Sequence, residues 1–431
     1  MGRLFLFVFL ITEHTNLTFL SYTFKMNKEY YLREKLKEID RILRDEYQNS
    51  TDIGVLSGVS GIAIFQFYYA QFLQKEHHKD VGADILSWII EKINNGYIYH
   101  TYCGGIAGAA WAIEFLKKEK FIDLDTDLLL SQLDDFLIDS IQRQEDNIVF
   151  YDFLHGVLGI GYYFLKRYQS TESIVLKKKY KDVLLEIIVS LDASSLKDKD
   201  GARWESVLII EEGLKGYNLS LSHGMSSIIN FLSRLVMYDD FHASGKELLE
   251  ESVHYIMRLK SEDASCTSFF PNWVTIDHIQ SKNTRLAWCY GDLGVGISLW
   301  RAGIALKNTP LSKSAIDVLK RSASRKDRKE AKVIDAGLCH GAYGIMHIYH
   351  YMYQETNDPI FKEAADFWID QALEMATHKE GYAGYMQWKA GEESGWKTET
   401  NILEGIAGIG LSIISYLAPF KTKWNECLLI G

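Results

Sequence analysis

The sequence has 431 residues, a length that leaves the number of domains open because helical repeat proteins of this size can fold as one unit. Hydrophobic residues make up 47% and only four residues are proline, so long helices are permitted nearly everywhere. The formal net charge of -10 argues against nucleic-acid binding, which requires a basic excess, and is compatible with a cationic peptide partner.

The first 25 residues contain the apolar run LFLFVFLI behind a single arginine. This run is too short to cross a bilayer, and no small-residue cleavage site follows it, although its length suits the core of a secretion signal. The segment from Met26 (MNKEYYLREKLKEIDRIL) starts an ordinary amphipathic helix. We therefore predict that residues 1–25 are an upstream mis-start or a disordered tail, with a secretion signal as the alternative. Residues 26–431 are predicted to form one domain without a transmembrane segment.

One phrase, Gly-x-x-Gly or a near variant, recurs seven times and opens a strongly apolar segment each time. The leading glycines of the seven copies, spaced 47 to 68 residues apart, are Gly58, Gly105, Gly156, Gly224, Gly291, Gly341 and Gly405. The fourth copy has Ser227 where the second glycine would stand. This spacing leaves room for two helices and their loops in every repeat.

The segments after these phrases are apolar on most faces, whereas the segments between them, such as LSQLDDFLIDSIQRQ, are amphipathic. This alternation predicts seven inner and seven outer helices. Such hairpins bury all their apolar faces only when the ring closes, so we predict an all-α fold, an (α/α)7 toroid or barrel. The glycines are expected to let the loops crowd at the narrow end and to adopt positive φ. The basic run from Leu319 to Lys332 is expected to be solvated outer surface.

Two of the loops that lead into inner helices carry a metal-ligand set: AWCYGD with Cys289, and GLCHGAYG with Cys339 and His340. Equivalent loops of a toroid meet at one end of its axis, so these side chains are expected to lie close together. Two thiolates and one imidazole leave the fourth tetrahedral position of Zn²⁺ open, as in a catalytic site. The helix N-termini there also favour thiolates. We therefore predict one zinc ion per chain.

The other cysteines, Cys103, Cys266 and Cys427, are expected to be small buried hydrophobes. Cys103 stands at the start of a repeat, where its side chain can face the axis, but no partner motif accompanies it. Five cysteines so scattered do not make a disulfide framework, which indicates a reducing compartment, the cytoplasm.

The motifs LSLSHG, RLAWCYGD and GLCHG, together with the seven glycine phrases, resemble the lanthionine synthetase C-like family, which includes the cyclases of lantibiotic biosynthesis. The resemblance covers nearly the whole chain after Met26. It implies a zinc-dependent lanthionine synthetase that adds cysteine thiols of a dehydrated precursor peptide to dehydroalanine or dehydrobutyrine, closing (methyl)lanthionine thioether rings. A separate dehydratase, a transporter and peripheral docking at a membrane are further expectations from it.

The resemblance assigns roles to seven residues: zinc ligation to Cys289, Cys339 and His340, acid–base chemistry to His223 with its neighbouring Asp152, and flanking positions to Arg285 and Tyr290. These residue types suit a Michael-type addition. An imidazole can protonate the α-carbon, an aspartate can orient or charge that imidazole, and an arginine or tyrosine can stabilise the enolate oxygen.

Without the resemblance, each of these four assignments has a structural alternative. His223 can be a capping or core histidine, and Asp152 an acid of an N-terminal helical turn. Tyr290 can be a packed ring and Arg285 a member of an ion pair. His155 also stands directly before a leading glycine and can face the cavity, but it receives no role.

Three other functions stay open from the sequence. A family member can bind glutathione or another small thiol without cyclising a peptide. A zinc toroid such as a prenyltransferase β subunit fits six repeats, not seven, with an aspartate among its ligands. An interaction scaffold with a structural zinc needs a fourth protein ligand, for which His223 is the best candidate. For the cyclase, the apolar stretch from Ser261 to Asn283 is a candidate groove for the leader of the precursor.

Overall fold

The computed structural model describes residues 28–143, 151–209, 212–263, 265–277, 279–280, 283–391 and 394–431, so the predicted N-terminal tail lies outside the described residues. The inner helices are α2 (Ser60–Leu73), α4 (Ile106–Lys118), α7 (Val157–Ser170), α9 (Met225–Leu235), α11 (Asp292–Ala305), α13 (Ala342–Thr356) and α15 (Ile406–Leu417). The outer helices are α1 (28–46), α3 (His77–Asn94), α6 (Ser131–Gln142), α8 (Ile174–Ser194), α10 (Asp239–Arg258), α12 (Thr309–Ala323) and α14 (Pro359–Glu374). Single helical turns are α5 (Thr126–Leu129) and the 3-10 helices Tyr47–Asn49 and Trp424–Leu428.

The helices form a closed ring, because α15 packs against α2 and the last inner helix thereby contacts the first. Inner helices are buried on nearly all faces: every residue of α15 from Ile406 to Ser415 is buried. Outer helices such as α10 bury only one apolar stripe. The predicted all-α toroid of seven inner and seven outer helices is confirmed. Within the described ranges, none of these helices has the length and apolarity that crossing a bilayer requires.

Within the described residues, seven short strands lie in the connections and were not predicted. The pairs β1 (Leu196–Asp198) with β2 (Gly201–Arg203) and β6 (Gln387–Lys389) with β7 (Gly395–Lys397) are antiparallel hairpins. A three-stranded antiparallel sheet has the order β3 (Ser206–Ile209), β4 (Leu214–Asn218) and β5 (Trp273–Thr275). Strands of three to five residues are too short to show a clear period-2 pattern in the sequence.

The glycines of the repeated phrase are required by crowding. Of the seven leading glycines only Gly291 has positive φ, so the prediction of positive φ is wrong for the other six. The second glycine is enclosed most tightly in the second, sixth and seventh repeats: a Cβ on Gly108, Gly344 or Gly408 would lie 1.9 Å from a carbonyl oxygen of its own loop. In the fourth repeat Ser227 stands there, and its hydroxyl donates to the carbonyl of Gly224 at 2.6 Å.

The loops that lead into the inner helices, here called the leading loops, are hydrogen-bonded to one another around the axis. At six of the seven junctions between neighbouring loops, a backbone amide of one loop donates to a backbone carbonyl of the other, with N···O distances of 2.8–3.2 Å. With the donor first, the pairs are Leu56 and Cys103, Cys103 and Leu154, Leu221 and Cys289, Cys289 and Cys339, Cys339 and Leu403, and Leu403 and Leu56. We call this set of bonds the amide belt. At the junction between the third and fourth loops, the described part of the chain has no backbone bond of this kind.

Residues 424–431 fill the axis behind the leading loops. Backbone carbonyls of this segment accept hydrogen bonds from α7, α9 and α11, among them bonds donated by Tyr162 Oη at 2.9 Å, Asn230 Nδ2 at 3.0 Å and Arg301 Nη2 at 3.3 Å. Trp424 has no exposed surface, and its ring centroid lies 4.5 Å from that of His347 on α13. Its Nε1 donates to Ser415 Oγ on α15 at 2.8 Å. The segment therefore ties several inner helices together.

Trp424→Ala should lower the free energy of unfolding by about 3–5 kcal/mol, because it leaves a cavity in the centre of the ring. Trp396→Ala is the matched control: this indole on β7 is 38% exposed, and its loss should cost under about 1 kcal/mol. Urea unfolding followed by circular dichroism measures both. Equal losses for the two variants would contradict the central role of the segment.

Candidate active site

The three predicted metal ligands meet at one junction of the amide belt. Their ligand atoms all lie within 4.8 Å of one another, although they come from two repeats. Cys289 and Cys339 occupy the same position of adjacent leading loops, and the Cys289 amide bonds the Cys339 carbonyl at 3.2 Å. The next residue, His340, is the third member. Elsewhere in the described ranges, no other group of three such side chains is close enough to hold an ion.

The donor set of this cluster fits zinc. In a tetrahedral zinc site, Zn–S bonds of about 2.3 Å and Zn–N bonds of about 2.0 Å place the ligand atoms about 3.5 Å apart. The three atoms here lie within 4.8 Å, so a small contraction brings them to that spacing. Three protein ligands leave a fourth position toward the cavity that these side chains line. Such an open position is typical of a catalytic zinc site.

Asp335 orients His340 and was not predicted. Its Oδ2 lies 3.2 Å from His340 Nε2, which leaves the other ring nitrogen to face the thiols. The carboxylate also accepts the amides of Gly337 at 3.1 Å and Trp388 at 3.0 Å. Burial alone would raise the pKa of Asp335, but His340 and these amides hold it below its usual value. Burial opposes the charged imidazole, yet Asp335 and Cys289 raise the pKa of His340 to about 10.

The two thiols share one negative charge when no metal is bound. A hydrogen bond from Cys339 outweighs burial and, with His340 and Arg285 nearby, holds the pKa of Cys289 well below its usual value. The Cys289 thiolate and burial raise the pKa of Cys339 well above its usual value. The pocket therefore already favours one thiolate within this pair.

His223 and Asp152 form a close pair at the junction that lacks a backbone bond. His223 Nδ1 lies 2.5 Å from Asp152 Oδ2. The other carboxylate oxygen accepts the amides of Leu154 at 2.6 Å and His155 at 2.8 Å. Asp152 therefore has two roles. It binds the amides at the start of a helical turn, as the structural alternative from the sequence predicts, and it is also the hydrogen-bond partner of His223. Burial would lower the pKa of His223, but the hydrogen bond and charge of Asp152 raise it above the usual value.

Tyr290 and Arg285 stand on the same wall. The Tyr290 hydroxyl accepts a hydrogen bond from Asn218 Nδ2 at 3.2 Å, and its ring centroid lies 6.5 Å from that of His223. Burial raises the pKa of Tyr290. Asn218 ends strand β4 and was not predicted. Arg285 is half-buried, and its charge helps to lower the pKa of Cys289.

A cavity of about 590 Å³ is lined by six of the seven predicted residues, and Asp152 lies behind His223. Among its other lining residues are Asn272 and Trp273, from the stretch that was a candidate leader groove. That assignment stays a prediction. The cavity also exposes His155, on the third leading loop.

The basic run from Leu319 to Lys332 anchors the loop that carries Arg285. Arg325 is 4% exposed and donates to the Thr284 carbonyl at 2.7 Å. Lys332 Nζ donates to the Asn283 carbonyl at 2.6 Å. The prediction of solvated surface is therefore wrong for Arg325, because its guanidinium is used to hold a backbone carbonyl.

The five cysteines are free. Cys103 and Cys427 are buried, as predicted, and burial raises the pKa of Cys103 to about 12. Cys266 is only partly buried, so its prediction is wrong; it lies in the stretch between α10 and α11 with Asp263 Oδ2 3.7 Å from its sulfur.

Comparison with known proteins places these features in context. The family described as "Lanthionine synthetase C-like protein" matches residues 49–429. "Nisin biosynthesis protein NisC" of Lactococcus lactis subsp. lactis is 24% identical over 438 residues, covering 94% of this chain and 96% of that protein. The solved structure "Nisin cyclase" has a TM-score of 0.73 at 18% identity and covers 93% of this chain and 98% of its own. At that identity the structural likeness shows the toroid fold alone.

Asp335→Asn should weaken zinc binding about 10- to 100-fold, because the amide cannot hold His340 as the carboxylate does. Competition with a chromophoric chelator measures the affinity. Asp182→Asn, which removes an exposed acid paired with Lys178 on α8, is the control and should leave the affinity unchanged. An unchanged affinity for Asp335→Asn would mean that the cluster orients itself without the acid.

Proposed function

The chain belongs to the lanthionine synthetase C-like family, which matches most of its length, and on this premise we propose that it is a zinc-dependent peptide cyclase. Its substrate is a dehydrated precursor peptide, whose cysteine thiols add to dehydroalanine or dehydrobutyrine to form (methyl)lanthionine rings. The observation that carries the proposal is the meeting of Cys289, Cys339 and His340 in a cavity that also exposes His223.

The rival functions have less support. Both named relatives are described by nisin biosynthesis or cyclisation, which does not favour a small-thiol activity. Seven inner helices do not fit a six-repeat prenyltransferase subunit. A structural zinc needs four protein ligands, whereas the cluster in the described residues has three and His223 is not among them.

Cys289, Cys339 and His340 would hold the zinc ion, with Asp335 fixing the imidazole. Bound there, zinc would supply the Lewis acidity that keeps a substrate cysteine as a thiolate near neutral pH. The cavity of about 590 Å³ suits one cysteine and one dehydrated residue of a peptide. The net charge of -10 favours a cationic peptide.

The remaining chemistry belongs to side chains of this chain. Attack of sulfur on the β-carbon moves the alkene electron pair toward the amide carbonyl, and the oxygen of the resulting enolate gains negative charge. Arg285 and Tyr290 can donate hydrogen bonds to that oxygen. His223, whose charged form Asp152 favours, then gives its proton to the α-carbon. This completes the thioether ring.

The proposal also sets the place of the reaction. Dehydroalanine and dehydrobutyrine arise by loss of water from serine and threonine, so a dehydratase must act on the peptide first. We place the enzyme in the cytoplasm, where free thiols persist. A transporter for the product and peripheral docking at a membrane belong to the same proposal.

Purified protein should contain one zinc per chain, and Cys339→Ala should lose both zinc and ring closure, because two ligands do not retain the ion. Metal analysis and mass spectrometry of thiol loss from a dehydrated, cysteine-containing peptide measure the two properties. Cys266→Ala, which removes a partly buried thiol outside the cluster, is the matched control and should keep both. Zinc without ring closure would favour the small-thiol function, and protein without zinc would contradict the proposal.

Asp152→Asn should shift the alkaline limb of the rate of ring closure to lower pH. The carboxylate raises the pKa of His223, so its removal lets the imidazole lose its proton earlier as the pH rises. A pH profile of kcat measures the shift. Asp40→Asn breaks a second Asp–His pair, with His78 on the outer helices, and should leave the midpoint unchanged. A wild-type midpoint in Asp152→Asn would exclude His223 as the titrating acid.

A further inference from the structure

His155 lies beside His223 and is used by no step described so far. It holds the same position in the third leading loop that His223 holds in the fourth, directly before the leading glycine. The two ring centroids are 6.0 Å apart and the planes are inclined by only 19°. Both residues line the cavity. Two imidazoles therefore stand side by side over the space where a peptide would bind.

The imidazole of His155 is open to that space. Its backbone amide donates to Asp152 Oδ1 at 2.8 Å, but within the described residues its ring nitrogens form no hydrogen bond. A histidine with a purely structural role usually has its ring bonded to the protein. The ring of His155 is instead exposed at the cavity, where its nitrogens can meet a substrate.

The two histidines have opposite charge preferences. The charged or titratable groups that face His155 are Asp152 on its own loop, His223 on the fourth loop and Asp52 on the first. Although the His155 ring is exposed to the cavity, the protein around the cavity removes part of its hydration, and this desolvation, with the neighbouring His223, lowers its pKa despite the two carboxylates. The same Asp152 raises the pKa of His223. The lowered pKa of His155 favours its neutral form and the raised pKa of His223 favours its charged form, which is the division that a base and an acid require.

We propose that His155 is a second catalytic residue, the base that accepts the proton of the substrate thiol and returns it to His223. This rests on the proposed cyclase function. The S–H bond breaks and its proton moves to a nitrogen of His155. The C–S bond then forms, and His223 gives its proton to the α-carbon. Finally the His155 imidazolium passes its proton through the solvent of the cavity to neutral His223, so that protons balance without an added reactant.

His155→Asn tests the proposal, because the amide keeps polarity and similar size but cannot titrate. In the full-length zinc-loaded protein, with a peptide that carries one cysteine and one dehydroalanine, kcat should fall about 10- to 100-fold while KM changes less than about twofold. The acidic limb of the kcat profile, where His155 becomes protonated, should disappear. Added imidazole should restore part of the lost rate.

Two controls accompany this variant. His254→Asn removes an exposed imidazole from α10, outside the cavity, and should change neither kcat nor the response to imidazole. His155→Gln is a second variant without a titratable ring. The thermal unfolding midpoints of His155→Asn and His155→Gln should equal that of the wild type, which shows that a lower rate comes from loss of the base and not from loss of the fold.

The outcomes are distinguishable. A wild-type rate and pH profile in His155→Asn, with His223→Asn inactive, would overturn this inference and leave the proposed function standing. A slower variant that keeps the acidic limb and ignores imidazole would also overturn it, since packing alone would explain the loss. If the wild-type protein closes no ring, the proposed function itself fails.

Discussion

The amide belt is the constraint on which the site depends. It holds the leading loops around one cavity, so that side chains from all seven repeats line the same space. Cys289 and Cys339 meet because they hold the same position in neighbouring loops. The one junction at which the described residues share no backbone bond is bridged by His223 and Asp152. The pair thus stands where the belt does not already fix the spacing of the loops.

The site combines charges that oppose one another in a buried setting. The cluster of Cys289, Cys339 and His340 favours negative sulfur, whereas Asp152 raises the pKa of His223 and so favours its positively charged form. Each of the two histidines has a carboxylate as its partner: Asp335 contacts His340, and Asp152 contacts His223. These partners come from the same leading loop or the one before it, so the repeat supplies both the reactive groups and the groups that tune them.

The ring of seven repeats and the convergence of the ligand loops were predictable because glycine spacing and repeat position carry that information in the sequence. Asp335 stands six residues before its leading glycine, as Asp52 does in the first repeat, where it accepts a bond from Ser57. Aligning the seven repeats with one another would therefore have identified Asp335 as a candidate residue. Asn218 and buried Arg325 depend on contacts between distant segments, which no local pattern encodes. The roles of the seven assigned residues remain proposals.

The segment 424–431 has a consequence for how the protein is made. A ribosome delivers α15 and this segment after every other helix, yet α2 needs α15 beside it and the inner helices need residues 424–431 between them. Until then, helices that are apolar on most faces have no partner on one side. Such an incomplete chain exposes hydrophobic surface that is prone to aggregation. Closure of the ring therefore has to wait for α15 and residues 424–431, and the chain is open to aggregation in the interval before they are in place.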